Sequence, residues 1–172
     1  MRALVRGIDR LSQTIGLSAA HFYLICAFLT TYEVVMRYVF NSPTLWAFEL
    51  VMVICAVAWA ISGAYVTMRQ SHIAITVLYQ YVQGRPRWLL DLVIHVVSLG
   101  AMSTLGYAVW GMLEEAIRTT ERSGTSFNSP EPLIIKTALF VGVVLYGLQT
   151  AANIVRHLID RDRAPPPAPE GE

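Results

Sequence analysis

Four apolar stretches constrain this chain more than anything else in it: about residues 15–36, 45–68, 88–113 and 133–158 are each long enough to cross a bilayer. A hydrocarbon core of roughly 30 Å takes about 20 mostly apolar residues as a helix, the form in which a segment bonds all its own backbone groups. Four such spans and short connections account for most of the 172 residues and leave little for a soluble domain. Composition agrees, with 55% hydrophobic residues, only 15% charged ones and a mean hydropathy of +0.49. The expected fold is therefore an all-α membrane protein of four transmembrane helices, occupying residues 1–160. Beyond it, residues 161–172 are proline-rich, a composition that favours extended polyproline and cannot build a core, so a disordered tail is expected.

The connections set the expected topology. Asn41-Ser42-Pro43 is a turn signal that folds the first two spans into a tight hairpin, and Pro86 suits the first turn of the third helix. Arg2, Arg6 and Arg10 precede the first apolar run, but that run is too long for a signal peptide and Phe28 to Met36 offers no small-x-small cleavage site. Nine basic residues fall in the N-terminal tail, the second connection and the C-terminal tail, against four around the first and third connections. The excess places both ends in the cytoplasm. Within the second connection Ile73, Ile75, Val77, Leu78, Tyr81 and Val82 form an apolar set, read as a short helix at the cytoplasmic interface because a lipid-exposed strand edge is forbidden. Glu114 to Pro132 reads as a periplasmic loop.

Ionisable groups at membrane depth are costly and each needs an account. Glu33 and Arg37 stand four apart with the acid first, the better order for a helical ion pair, and Glu49 lies just across the hairpin. Glu33 and Glu49 are expected to share Arg37 in one three-member polar cluster at the outer boundary, with Asn41 and Trp46 beside it. It either stabilises the hairpin or docks onto another membrane subunit. On the third helix Arg87, Asp91 and His95 recur at one-turn spacing. No acid or histidine continues the series from Val96 to Leu113, so a proton relay lacks its chain. His21 and His95 fall at similar depth, which makes a bis-histidine haem in an oxidoreductase anchor the rival reading. Against it, such anchors typically offer more than one histidine pair with small residues beside each ligand. Otherwise each histidine makes an interhelical hydrogen bond.

Other chemistry lacks its parts. No phosphate-cradling glycine loop, metal-spaced histidine cluster or nucleophile set is present, so no enzyme activity, metal or cofactor is expected. The net charge of +1 with scattered basic residues argues against nucleic acid. Cys26 and Cys55 sit mid-span and read as packing residues. Ala56, Ala60 and Ala64, and Gly100, Thr104 and Ala108, recur at four-residue spacing, a pattern that permits close helix packing. Trp46, Trp88 and Trp110 suit the aromatic belts at the membrane interfaces.

The run Arg37-Tyr38-Val39-Phe40-Asn41-Ser42-Pro43, followed by Trp46 and Glu49, resembles the first hairpin of the small membrane subunit, DctQ type, of tripartite ATP-independent periplasmic (TRAP) transporters. Gly63-Ala64 and then His72-Ile73-Ala74-Ile75 extend the likeness, which covers nearly all of the four-span region. Thr76 stands where members of that family often place an aspartate, so any role of that acid is not carried over. The resemblance implies the inner membrane of a bacterium and two protein partners: a large DctM-type membrane subunit that carries substrate, usually with sodium, and a periplasmic solute-binding protein. It also implies an auxiliary role, bracing the scaffold of the large subunit against the lipid bilayer during uptake of an organic acid. Dicarboxylates, keto acids, sialic acids and sulfonates are typical cargo.

Overall fold

In a computed structural model, residues 2–69 and 85–159 are described, and they form four α-helices: α1 (Arg2–Tyr38), α2 (Ala47–Met68), α3 (Arg85–Thr119) and α4 (Glu131–Ile159). All four are long and apolar enough to cross a membrane. The expected interfacial helix, the His72-Ile73-Ala74-Ile75 motif and the proline-rich tail lie outside the described residues.

The helices differ in length, and the difference places polar groups. At about 1.5 Å per residue, the 22 residues of α2 span roughly 33 Å, close to a hydrocarbon core, whereas the 37 of α1 span roughly 55 Å. α1 thus starts at Arg2, well before the apolar run at residue 15. Its inward stripe explains why: Val5, Ser12, Ala19 and Cys26 are buried at intervals of seven, and Phe22, Leu29, Glu33 and Met36 continue that face half-buried. A repeat of 3.5 residues keeps one seam against a neighbour over many turns. α1 stops where Asn41 takes a left-handed backbone (φ 50°), tolerated by a short polar side chain, and Ser42 N–H closes back on Met36 C=O at 2.9 Å.

α2 and α4 are the central pair. α1 packs along α2 and also reaches α4, while α3 packs mainly on α4 at the opposite edge. α2 therefore carries two stripes, one for each neighbour. Contact is closest at two glycines. A Cβ on Gly142 of α4 would lie 2.4 Å from the Ala60 carbonyl oxygen of α2, and one on Gly16 of α1 would lie 2.3 Å from Tyr65 Cβ of α2. Backbones this close gain dispersion contact that larger side chains would forbid.

The two small-residue series fare differently. Ala60 and Ala64 are buried, with Ala56 half-buried, as a packing stripe requires. Gly100, Thr104 and Ala108 are all exposed, and a Cβ on Gly100 would meet nothing within 4 Å. The expected packing role is not realised within this chain, because α3 turns a different heptad stripe inward: Met102, Gly106, Val109, Leu113 and Ala116. Most large apolar side chains point outward, among them Phe28, Trp59, Val97 and Tyr107, the arrangement lipid favours.

Candidate functional site

Polar side chains gather at the two ends of the helix assembly. At one end lie the α1–α2 turn and the α3–α4 loop, here the hairpin rim; at the other lie the described starts of α1 and α3 and the ends of α2 and α4, here the terminal rim.

At the hairpin rim Arg37 donates to Glu33 Oε1 from Nε (3.1 Å) and Nη2 (2.6 Å), while the other carboxylate oxygen accepts from the Thr44 N–H at 3.2 Å and from the Thr44 hydroxyl. The turn at Asn41 is what returns Thr44 over Glu33. Trp46 then stacks on Tyr32, ring centroids 6.2 Å apart, just before α2 begins.

Glu49 does not share Arg37. Its Oε1 accepts from the hydroxyls of Ser123 (2.8 Å) and Thr125, and its Oε2 from the Ser129 N–H (3.3 Å) and the Ser129 hydroxyl. The expected three-member cluster is thus two separate carboxylate sites. Helix geometry gives the reason, since Glu49 lies eleven residues before Ala60, just over three full turns, and so faces α4 and its loop instead of α1. The loop is shaped to meet it. Left-handed residues at Thr120, Gly124 and Asn128 bend the chain, and Ser123 N–H donates to Ser129 C=O at 3.0 Å to close it. A buried carboxylate needs several donors, and this loop supplies four.

The terminal rim holds a network that sequence reasoning missed. Gln149 of α4 is fully buried; its Oε1 accepts from Ser12 Oγ (2.7 Å) and its Nε2 donates to Asp9 Oδ1 (2.8 Å) and Asn153 Oδ1 (3.4 Å). Asn153 Nδ2 in turn donates to the Thr67 carbonyl at 3.0 Å, and Arg156 pairs with Asp9. Three helices are thereby joined through two side-chain amides, Gln149 to α1 and Asn153 to α2. A signal was present: Gly142, Gln149, Asn153 and Arg156 follow one another at intervals of seven, four and three, continuing the stripe that packs on α2.

The histidines are placed apart. His21 is exposed on α1 and bonds only its own helix, Nδ1 to Leu17 O at 3.2 Å. His95 of α3 directs Nδ1 to Asp91 O (2.6 Å) and stacks against His157 of α4, centroids 6.1 Å apart. His157 also stacks on Trp88 at 5.1 Å and presents Nε2 to the Trp88 carbonyl at 2.9 Å, so that nitrogen carries the hydrogen. Helices α1 and α3 occupy opposite edges, so a haem held between His21 and His95 does not fit this packing. The neighbour that His95 does have, His157, was not foreseen. Arg87 and Asp91 lie one turn apart at the start of α3, each engaged in a contact.

Residues 26–160 match the family model described as "Tripartite ATP-independent periplasmic transporters, DctQ component". The chain belongs to the DctQ family. No curated protein matches it in sequence. DctQ proteins are components of TRAP transporters, so this DctQ chain is a membrane protein and the small subunit of such a system. The match includes Glu33, Arg37 and Glu49 together with Gln149, Asn153 and Arg156, but begins after Asp9 and Ser12. The hairpin rim thus lies wholly within the matched region, and the terminal rim only in part.

Proposed function

We propose that this DctQ chain is a static brace. It holds the scaffold of a large DctM-type subunit in the inner membrane of a bacterium while that subunit imports an organic acid, driven by a sodium gradient and supplied by a periplasmic binding protein. The observation that carries this reading is the use made of the polar groups. Among the described residues every buried side-chain nitrogen or oxygen has a hydrogen-bond partner; at the terminal rim these bonds tie helix to helix, and at the hairpin rim they tie α2 to the α3–α4 loop. Groups engaged in this way resist relative movement of the helices. Reconstituting the chain alone in liposomes, with a sodium gradient and candidate acids, should give no uptake above empty vesicles. Uptake is expected once the large subunit and the binding protein are added. Robust uptake by the small subunit alone would overturn the proposal.

The same reading orients the chain with both ends in the cytoplasm. By position along their helices Arg2, Arg6, Arg10, Arg69, Arg85, Arg87 and Arg156 fall toward the terminal rim, against Arg37, Arg118, Arg122 and Lys136 toward the hairpin rim. A cysteine at Ser126, exposed in the α3–α4 loop, should label with an impermeant maleimide from the periplasm, and one at Arg10 should not. The reverse pattern would invert the topology. Within this reading Glu33, Arg37, Asn41, Trp46 and Glu49 shape the outer surface offered to the large subunit, and co-purification of the two subunits measures their part in it.

A further inference from the structure

Cys26 and Cys55 are the chain's two cysteines, and the structure brings their sulfurs to 3.2 Å across the α1–α2 seam. We propose that they form a membrane-embedded dithiol that a lipid hydroperoxide converts to a disulfide, covalently joining α1 to α2. Cys26 is buried (6% exposed) and its Sγ also faces Val51 O at 3.8 Å, whereas Cys55 is only half-buried. Both lie deep in the span. Cys26 is twelve residues from the end of α1 and Cys55 eight from the start of α2, roughly 18 and 12 Å from the hairpin rim at about 1.5 Å per residue.

Depth selects the oxidant. A hydroperoxide carried on an acyl chain resides in the same layer as the two sulfurs, whereas a polar water-borne oxidant must shed its hydration to reach them. Cys55, the more accessible sulfur, takes the first step. The peroxide O–O bond breaks, the hydroxyl oxygen bonds to Cys55 Sγ, and the thiol proton passes to the departing alkoxide, giving a sulfenic acid and a lipid alcohol. Cys26 Sγ then displaces that oxygen: the S–S bond forms, the S–O bond breaks, and the hydroxyl leaves as water with the Cys26 proton. Sulfur loses two electrons and the peroxide gains them. The product is neutral and apolar, as its surroundings require.

The test uses the whole chain in proteoliposomes treated with cumene hydroperoxide, a lipid-soluble probe, then denatured and alkylated with N-ethylmaleimide for intact-mass measurement. The expected result is loss of both alkylated positions together, a mass lower by two hydrogens than the unalkylated chain, and recovery of both thiols with dithiothreitol. Cys26→Ser and Cys55→Ser should each lack a dithiothreitol-reversible intramolecular link. Two thiols still alkylated after treatment, oxidation that stops at sulfinic acid, or a disulfide between two chains would each overturn the proposal. A second readout is thermal: the oxidised chain should melt at a higher temperature than the reduced one, because the link restricts the unfolded chain between residues 26 and 55.

Discussion

The two rims solve the same problem by different means. At the hairpin rim the bonds that bring separate segments to Glu33 and Glu49 come from turn and loop residues: Thr44 reaches Glu33, and Ser123, Thr125 and Ser129 reach Glu49. At the terminal rim the donors and acceptors stand on helices, and Gln149 gathers α1 and α4 while Asn153 adds α2. Loop donors can move away and be replaced by water at the membrane surface. Helix-borne partners cannot move without displacing the helix. The terminal rim is therefore the stiffer of the two, and the comparison can be tested by substitution.

The largest effect is expected midway between the rims. Gly142→Val places side-chain atoms against the Ala60 carbonyl, which is backbone and cannot rotate away, so α2 and α4 must part. Overpacking of this kind costs roughly 1–3 kcal/mol or more, and it should lower the melting temperature in detergent while loosening both rims. If Gly142→Val melts like the wild type, the close approach has no part in holding the bundle. Next comes Gln149→Leu, which leaves Asp9, Ser12 and Asn153 each short of a bond. At about 1–3 kcal/mol for a stranded buried group the loss is comparable, but hydrogen exchange should rise in the first turns of α1 and the last of α4, with the α3–α4 loop unaffected.

Glu49→Ala should cost less than either. Ser123, Thr125 and Ser129 regain water, and the expected sign is new protease cleavage between residues 122 and 129 with only a small fall in melting temperature. Cleavage indistinguishable from the wild type would mean that the loop holds its shape without the carboxylate. The smallest effect belongs to Arg37→Ala, since half of that side chain is exposed and Glu33 keeps both bonds from Thr44. Unchanged melting with weaker co-purification with the large subunit is expected, because Arg37 contributes to the surface offered to that subunit and little to the fold. Unchanged co-purification would remove Arg37 from the subunit contact.

The rims also show which features could be read from sequence. The four apolar runs were legible because lipid demands length and hydrophobicity in each helix by itself, and the Glu33–Arg37 pair because one helical turn separates its members. The DctQ resemblance, carried by Arg37 to Pro43 with Trp46 and Glu49, agrees with the family match. The partners of Glu49 lie 74 to 80 residues away and those of Gln149 as far as 140, distances over which spacing carries no information about contact. The series Gly100, Thr104 and Ala108 shows the same limit from the other side. A stripe of small residues says that a helix can come close, but only the packing order says whether one does.

The close approach of Gly142 to Ala60 has a mechanical consequence. A stack of rods fastened only at its ends bows under a sideways load, because the middle is free to deflect. Here the two central rods touch at mid-length and are joined directly at one end and through a loop at the other, so a push on one end arrives at the other as translation with little bending. A neighbour that slides against this chain would meet a beam of fixed height, and the work of sliding would go into the neighbour's own displacement instead of being lost in flexing the support.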